Sequence, residues 1–155
     1  MDRLWRLLKK ETVTLHLRKR KKEEVIEELI DVLVRATLIT DKVKALEGVL
    51  QRERMMSTGI GEEVAIPHAK YDHIDKPLLA FGRSSEGIKF ESLDGKKVHL
   101  VFLLLSPKDE PTKYVKLLGK MARLLDRTEV RETLKRALTP EEIINTIKQE
   151  ERRLR

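Results

Sequence analysis

One apolar run decides how this chain folds: Val98-His99-Leu100-Val101-Phe102-Leu103-Leu104-Leu105. Seven of its eight residues are apolar, which is typical of a strand that is buried on both faces of a sheet. Just before it, Leu93-Asp94-Gly95-Lys96 has the residue types of a hairpin turn. Shorter strands are predicted at residues 12–17, 64–66 and 78–81.

Helical periodicity surrounds these strands. Helices are predicted over residues 25–33, from Thr40 or Asp41 to about Arg54, and over 115–125 and 128–138. Thr139, Pro140 and Glu142 have the spacing of a capping box at the start of a last helix. The charged tail, residues 150–155, is expected to be frayed. Together these elements predict an α/β fold, with helices packed on a mixed sheet, in a single domain over residues 1–155.

The composition excludes several classes of protein. The 155 residues include no cysteine, so disulfide scaffolds, thiol catalysis and cysteine-ligated metal sites are ruled out. No apolar run approaches the roughly 18 residues that a membrane-spanning helix needs. The N-terminus meets basic residues before any long apolar stretch, so it does not have the pattern of a signal peptide. We therefore expect a cytoplasmic protein without direct membrane insertion.

The charge is strongly basic. Thirty-three Lys and Arg against 26 Asp and Glu give a formal net charge of +7 and a sequence pI near 9.6. Such a surplus can indicate nucleic-acid binding. However, acidic residues are abundant, aromatic residues make up only 4%, and no familiar nucleic-acid-binding motif is present. The composition favours a surface with both signs interspersed and no nucleic-acid partner.

The segment Ser57-Thr58-Gly59-Ile60-Gly61-Glu62-Glu63-Val64-Ala65-Ile66-Pro67-His68-Ala69 carries the candidate chemistry. Glycines such as Gly59 and Gly61 let backbone N–H groups approach a phosphate, and the hydroxyls of Ser57 and Thr58 can add donors. The strand at 64–66 is expected to stop at Pro67, which would present His68 as a fixed, exposed imidazole. Arg52, just upstream, can bring a guanidinium. This pattern suits a histidine that carries a phosphoryl group.

Other interpretations of these residues stay open. His68 can be structural, and the glycine loop can be only a turn. Gly59-Ile60-Gly61 imitates a dinucleotide fingerprint, but it follows a helix and opens a strand, which is the reverse of that motif. His68, Asp72 and His73 can ligate a metal in principle, but their spacing fits no common template. We therefore expect neither a metal nor a cofactor.

Three stretches resemble the signature of the fructose/mannitol-type enzyme IIA domain: Arg52-Glu53, Ser57-Thr58-Gly59-Ile60-Gly61 and Ala65-Ile66-Pro67-His68-Ala69. This family belongs to the bacterial phosphoenolpyruvate-dependent phosphotransferase system and includes the nitrogen-regulatory enzyme IIA branch. Gly87-Ile88-Lys89-Phe90, Leu93-Asp94-Gly95 and the apolar run resemble its next characteristic block. The resemblance extends from about Leu4 to Ile147, which is nearly the whole chain.

The resemblance implies a three-layer α/β/α sandwich, in which helices flank both sides of a central mixed sheet. It also implies that His68 accepts a phosphoryl group from an HPr-like phosphocarrier protein, with Arg52 beside it. The group would then pass to an enzyme IIB domain, or its presence would act as a signal to a regulatory target protein. We expect Ser57, Thr58, Gly59 and Gly61 to surround that group.

One position departs from the family pattern. Tyr114 stands where the family usually carries a second histidine. A phenol with a pKa near 10 can donate a hydrogen bond to a phosphate but cannot exchange a charge near pH 7. Tyr114 is therefore a candidate for orienting the phosphoryl group. The departure also keeps an alternative open, a non-catalytic regulatory interaction module of the nitrogen-regulatory type.

Overall fold

A six-stranded mixed sheet crosses the molecule in the computed structural model, which describes residues 3–154. Its strands are β1 (Val13–Thr14), β2 (Gly59–Gly61), β3 (Val64–Ala65), β4 (His68–Tyr71), β5 (Leu78–Ile88) and β6 (Val98–Pro107). The order across the sheet is β1-β5-β6-β3-β2, and β4 also pairs with β6. β5 and β6 are antiparallel, whereas β3 and β4 run parallel to β6.

The central strand β6 is buried on both faces, as its apolar sequence predicts. Leu100, Phe102 and Leu104 pack in one hydrophobic cluster, and the alternate residues Val101 and Leu103 pack in the other. The alternation follows from the period of two in a strand. β6 therefore separates two cores, and each core needs its own cover of helices.

Six helices among residues 3–154 provide this cover. They are α1 (Leu4–Leu7), α2 (Lys22–Arg35), α3 (Lys42–Met55), α4 (Pro111–Leu125), α5 (Thr128–Arg136) and α6 (Pro140–Arg153). α2 and α3 cover one face of the sheet, and α1, α4, α5 and α6 cover the other. This arrangement confirms the predicted three-layer α/β/α sandwich with a central mixed sheet. None of the helices among residues 3–154 is long and apolar enough to cross a lipid bilayer.

The predicted strand at residues 12–17 is mostly wrong. Lys10–Thr12 forms a 3₁₀ turn, and only Val13–Thr14 pairs with β5. Beyond the ladder, the Nε of Arg83 donates to the carbonyl of Leu15 at 3.2 Å, and the N–H of Leu17 donates to the carbonyl of Arg83 at 2.9 Å. Residues 15–17 thus stay bound to Arg83 without extending the strand.

The prediction of a frayed tail is also wrong, because α6 continues to Arg153. Glu151 is buried, and its carboxylate accepts hydrogen bonds from the N–H groups of Leu4 and Trp5 at 2.9 and 2.8 Å. Glu150 is buried against Arg127 at 2.6 Å. The charged residues of the tail therefore hold α6 in place, since Glu151 binds α1 and Glu150 binds Arg127, the residue before α5. The predicted start of α6 is confirmed, since Thr139 accepts from the N–H of Glu142 at 3.2 Å.

Candidate active site

A break in the backbone beside β6 positions His68. β3 pairs with the first half of β6 and β4 with the second half, and Ile66 and Pro67 lie between them. Proline has no N–H to donate, but its carbonyl still accepts from the N–H of Leu104 at 3.0 Å. The strand thus stops before Pro67, at Ala65, and a new strand begins at His68, opposite Leu104.

The break also fixes the tautomer of the imidazole. Nδ1 of His68 lies 2.7 Å from the carbonyl oxygen of Ile66. A carbonyl can only accept, so Nδ1 carries the proton and donates it to Ile66. In the neutral ring, Nε2 therefore holds the free lone pair. His68 has one nitrogen committed to the backbone and one available for chemistry.

Burial lowers the pKa of His68 below its usual value of 6.5, and the positive charge of Arg52 lowers it further. The hydrogen bond to Ile66 and the negative charge of Glu53 oppose this shift but do not cancel it. Since the pKa falls, the ring is neutral at pH 7, and its lone pair is free to act as a nucleophile.

His68 opens into a cleft of about 500 Å³ between α3 and the first turn of α4. The lining side chains come from α3, from β4 with its following residue, and from the start of α4 with its preceding loop. They are Lys44, Glu47, Gln51, Arg52, Met55, His68, Ala69, Lys70, Tyr71, Asp72, Lys108 and Tyr114, together with Gly48. The structure therefore brings Arg52 and Tyr114, two of the predicted site residues, to the same cleft as His68.

Arg52 lies in the last turn of α3. Its Nη1 donates to the carbonyl oxygen of Met56 at 2.9 Å, which satisfies a carbonyl just beyond the end of the helix. The remaining guanidinium donors can serve an anion in the cleft. The charge of Arg52 also lowers the pKa of both His68 and Tyr114.

Tyr114 packs against the histidine edge-on. The two ring centroids are 5.6 Å apart, and the ring planes meet at 67°. Burial raises the pKa of Tyr114 to about 12, although the charge of Arg52 opposes the rise. The phenol is therefore uncharged at any physiological pH.

The other predicted phosphoryl-binding residues do not line this cleft. Thr58 is buried, and its N–H and hydroxyl both donate to the carboxylate of Glu53, at 2.8 and 2.5 Å. The hydroxyl of Ser57 donates to the carbonyl of Phe90. Gly59 and Gly61 belong to β2, and Gly61 has a φ of +94°, which a glycine adopts without strain. These four residues build the loop beside the site.

Sequence reasoning missed the role of Glu53. This carboxylate is buried and forms an ion pair with the buried ammonium of Lys22 at 3.0 Å. It therefore connects the start of α2, the end of α3 and Thr58. In the sequence, the role of Glu53 was indicated only by its position next to Arg52, near the end of a predicted helix.

Lys70 was missed as well, although a signal was present. Side chains two residues apart in a strand point to the same face, so a strand that begins at His68 places Lys70 beside it. The alternative metal site is not formed in the described part of the chain. Asp72 pairs with Lys108 and Lys44, the ring of His73 contacts Tyr71, and residues 3–154 contain no group of three possible ligands.

The sequence matches a known protein family. The family described as "Phosphoenolpyruvate-dependent sugar phosphotransferase system, EIIA 2" matches residues 6–150. The chain belongs to this family. The resemblance seen in the sequence is thereby confirmed over residues 6–150.

The relatives include proteins of sugar transport and of nitrogen regulation. The chain is 40% identical over 146 residues to the PTS system fructose-specific EIIABC component of Bacillus subtilis; the match covers 94% of this chain but only 23% of that protein. The nitrogen regulatory protein IIA-Ntr from Neisseria meningitidis, a solved structure, is 28% identical with a TM-score of 0.86, and the match covers 93% of this chain and 98% of that one.

A third relative shares the fold at lower identity. It is enzyme IIA of the mannitol system of Escherichia coli, solved as a complex with phosphorylated enzyme IIB. The identity is 22%, the TM-score is 0.78, and the match covers 92% of this chain and 97% of that one. At this identity the likeness concerns the fold.

Proposed function

We propose that this EIIA 2 protein is a phosphoryl carrier in which His68 accepts a phosphoryl group and passes it on. The observation that carries the proposal is the state of the imidazole. Nδ1 donates to the carbonyl of Ile66, the ring is neutral at pH 7, and the ring lines an open cleft that also holds Arg52. A nucleophile and a cation thus share one cavity, which is what transfer of a phosphoryl group requires.

The transfer step is balanced in atoms and electrons. Nε2 of His68 attacks the phosphorus of a phosphohistidine on an HPr-like phosphocarrier protein. The new Nε2–P bond forms as the N–P bond of the donor breaks, and the electron pair of that bond stays on the donor ring. Nδ1 keeps its proton during the step, because the carbonyl of Ile66 holds it. In delivery to an enzyme IIB domain, a nucleophile of that domain attacks the phosphorus, the Nε2–P bond breaks, and its electron pair returns to Nε2 of His68.

The surrounding residues have different tasks in this proposal. Arg52 supplies positive charge to the transferring oxygens. Tyr114 packs on the ring of His68 and limits its rotation. Ser57, Thr58, Gly59 and Gly61 shape the neighbouring loop and do not hold the phosphoryl group themselves.

Exposed apolar side chains around the cleft support a protein partner over a small substrate. Met55 is 77% exposed, and Met56 and Val115 are each 66% exposed. Met55 lines the cleft, and Met56 and Val115 each follow a lining residue directly in the chain. Exposed apolar side chains beside a cleft are typical of a docking surface. We assign this rim to the phosphocarrier protein and to the enzyme IIB domain or regulatory target, in keeping with the IIA–IIB complex of the mannitol relative. The cytoplasmic location expected from the sequence stays a prediction.

The proposal is tested by reconstituting the transfer. The protein is incubated with phosphoenolpyruvate, enzyme I and an HPr-like phosphocarrier, and the acid-labile phosphoryl group is measured by intact mass. We expect one phosphoryl group per chain in the unmutated protein and none in His68→Ala. His73→Ala, which changes an exposed histidine beyond β4, is the control and should be labelled normally. Equal labelling of His68→Ala would refute the assignment.

The regulatory alternative keeps one observation in its favour. Tyr114 is neutral because burial raises its pKa to about 12, so the cleft has no second titratable group near pH 7 where the family usually has one. A module that signals without transferring the group would bind its target regardless of the state of His68. Capture of the same target by the unmutated protein and by His68→Ala and His68→Asp would favour this alternative.

A further inference from the structure

We propose that Lys70 supplies a second positive charge, beside that of Arg52, to the phosphoryl group on His68. Tyr114, which stands where the family usually carries a second histidine, cannot supply this charge. The inference rests on the proposed function and adds a phosphoryl-binding residue to it. Lys70 would contact the phosphoryl oxygens directly from the strand that carries the nucleophile.

The register of β4 places Lys70 on the same face as His68. In the parallel ladder with β6, His68 lies opposite Leu104 and Lys70 opposite Ser106. Leu104 packs in the core under α4, whereas Ala69 and Tyr71 pack in the core on the opposite face. His68 and Lys70 are therefore both directed to the α4 side of the sheet, where Tyr114 lies.

Tyr114 holds the two side chains together. The ammonium of Lys70 lies over the ring of Tyr114, 5.9 Å from its centroid, and His68 contacts the same ring edge-on. A cation over a tyrosine face is attracted by the ring, so the ammonium stays beside the cleft. Tyr114 is itself neutral, but its ring positions the ammonium of Lys70.

The other lysines of the cleft are engaged elsewhere. Lys108 and Lys44 both pair with the carboxylate of Asp72, at 3.1 and 3.4 Å. Among the ion pairs of residues 3–154, none includes Lys70, and its side chain is exposed on the cleft. Lys70 is thus the lysine of the cleft whose charge is available to an incoming anion.

The charge of the phosphoryl group makes two cations useful. A phosphoryl group carries close to two negative charges near pH 7, and Arg52 supplies one positive charge. A second cation stabilises the charge that spreads over the transferring oxygens. It also lowers the pKa of the bound phosphoryl group, because a nearby positive charge favours the more ionised form.

The test compares Lys70→Met and Lys70→Arg with the unmutated protein and with a control, Lys76→Met. Methionine keeps the unbranched stem without the charge, arginine keeps the charge, and Lys76 is exposed and does not line the cleft. His68 is phosphorylated with phosphoramidate, a small donor that needs no docking. Labelling rates are followed by intact mass, and the phosphoryl pKa is measured by ³¹P NMR titration.

We expect Lys70→Met to be labelled about tenfold more slowly, the effect of losing one charge-assisted hydrogen bond. We also expect a higher phosphoryl pKa in this variant. Lys70→Arg should restore both, and Lys76→Met should change neither. The pKa readout separates a charge effect from a loss of packing, which would not move it.

The outcomes distinguish the two proposals. If the unmutated protein takes up no phosphoryl group either from phosphoramidate or from the HPr-like phosphocarrier, the proposed function fails, and the role of Lys70 fails with it. If the unmutated protein is labelled on His68 while Lys70→Met matches it in rate and in phosphoryl pKa, only the role of Lys70 is overturned.

Discussion

The imidazole of His68 is neutral at pH 7 because the influences that lower its pKa outweigh those that raise it. Burial and Arg52 lower the pKa, whereas the carbonyl of Ile66 and the charge of Glu53 raise it, and the lowering influences prevail. The hydrogen bond to Ile66 does a second task, because it directs the free lone pair to Nε2. The chemistry of this residue therefore depends on backbone geometry as much as on neighbouring charges.

Replacing Arg52 should separate its effect on pKa from its effect on transfer. In Arg52→Ala the pKa of His68 should rise toward its usual value, since a nearby positive charge is lost. The neutral fraction of the ring then decreases at mildly acidic pH, and phosphorylation should slow at every pH because the transferring oxygens lose a cation. A titration of the His68 ring protons by NMR measures the first effect, and labelling by phosphoramidate measures the second.

Arg54→Ala is the matched control for that experiment. Arg54 is in the same helical turn as Arg52, but it is exposed and does not line the cleft. A His68 pKa that stays constant in Arg52→Ala would contradict the electrostatic account.

Tyr114→His should raise the rate of transfer. Position 114 faces His68 across 5.6 Å, so a histidine there can bring a charge that the phenol cannot. The gain should grow as the pH falls below 6.5, because only the protonated ring brings a charge, and the burial and the charge of Arg52 at position 114 lower the pKa of a histidine there as well. Rates measured across this pH range give the answer, and an unchanged rate in a folded variant would argue against this placement of Tyr114.

The site was partly predictable at the residue scale. Arg52 and Tyr114 were identified from the sequence, and the structure brings both to the cleft of His68. Ser57 and Thr58 were expected there too, but their hydroxyls bind the carbonyl of Phe90 and the carboxylate of Glu53. Whether a hydroxyl is free depends on which acceptors the fold brings near it, and the linear sequence does not contain that information.

At the scale of elements, the buried pair of Lys22 and Glu53 joins α2 to the end of α3. Glu53→Gln should lower the free energy of unfolding by about 3 kcal/mol, because it leaves a buried ammonium without its carboxylate. The pKa of His68 should fall further in the same variant, since the charge of Glu53 raises it. Urea denaturation measures the first change and NMR titration the second.

Glu91→Gln is the control for the buried pair. Glu91 also approaches Lys22, at 3.6 Å, but its side chain is 84% exposed. Exposed pairs contribute little to stability, so this variant should unfold like the unmutated protein. Equal destabilisation by both substitutions would show that burial of the pair is not what matters.

The elements that the sequence predicts well are those with strong local patterns. β6 has an almost unbroken apolar run, and α6 begins after Thr139, whose hydroxyl accepts from the N–H of Glu142 as expected. The carboxylate of Glu142 accepts from the N–H of Leu138, so the second half of the predicted capping box is not formed. The failures are elements that depend on distant residues. β1 ends at Thr14, and the carbonyl of Leu15 accepts from the side chain of Arg83, whereas the end of α6 is held by the contact of Glu151 with the N–H group of Leu4. Alternation and charge in the sequence carry no information about such partners.

At the scale of the whole molecule, many of the basic side chains form ion pairs with acidic side chains. Many cations pair with carboxylates on other elements, as in the pairs Lys42 with Asp31, Lys135 with Glu63, and Arg127 with Glu150. Such pairs support the expectation from the sequence that charges of both signs are interspersed on the surface. The absence of a nucleic-acid partner stays a prediction.

We accordingly expect no binding to duplex DNA or RNA, even at low ionic strength. Fluorescence anisotropy with labelled duplexes at about 50 mM salt is a sensitive condition, because electrostatic binding strengthens steeply as salt falls. Affinity that appears there and declines with added salt would restore the nucleic-acid interpretation.

The contact between Glu151 and the N–H groups of Leu4 and Trp5 has a topological consequence. It brings the two ends of the described chain to one corner, so a short peptide can close the molecule into a ring. New ends can then be opened at the exposed turn around Gly95, between β5 and β6. A circular permutant built in this way should retain the fold, because the exposed turn around Gly95 belongs to neither of the two hydrophobic cores.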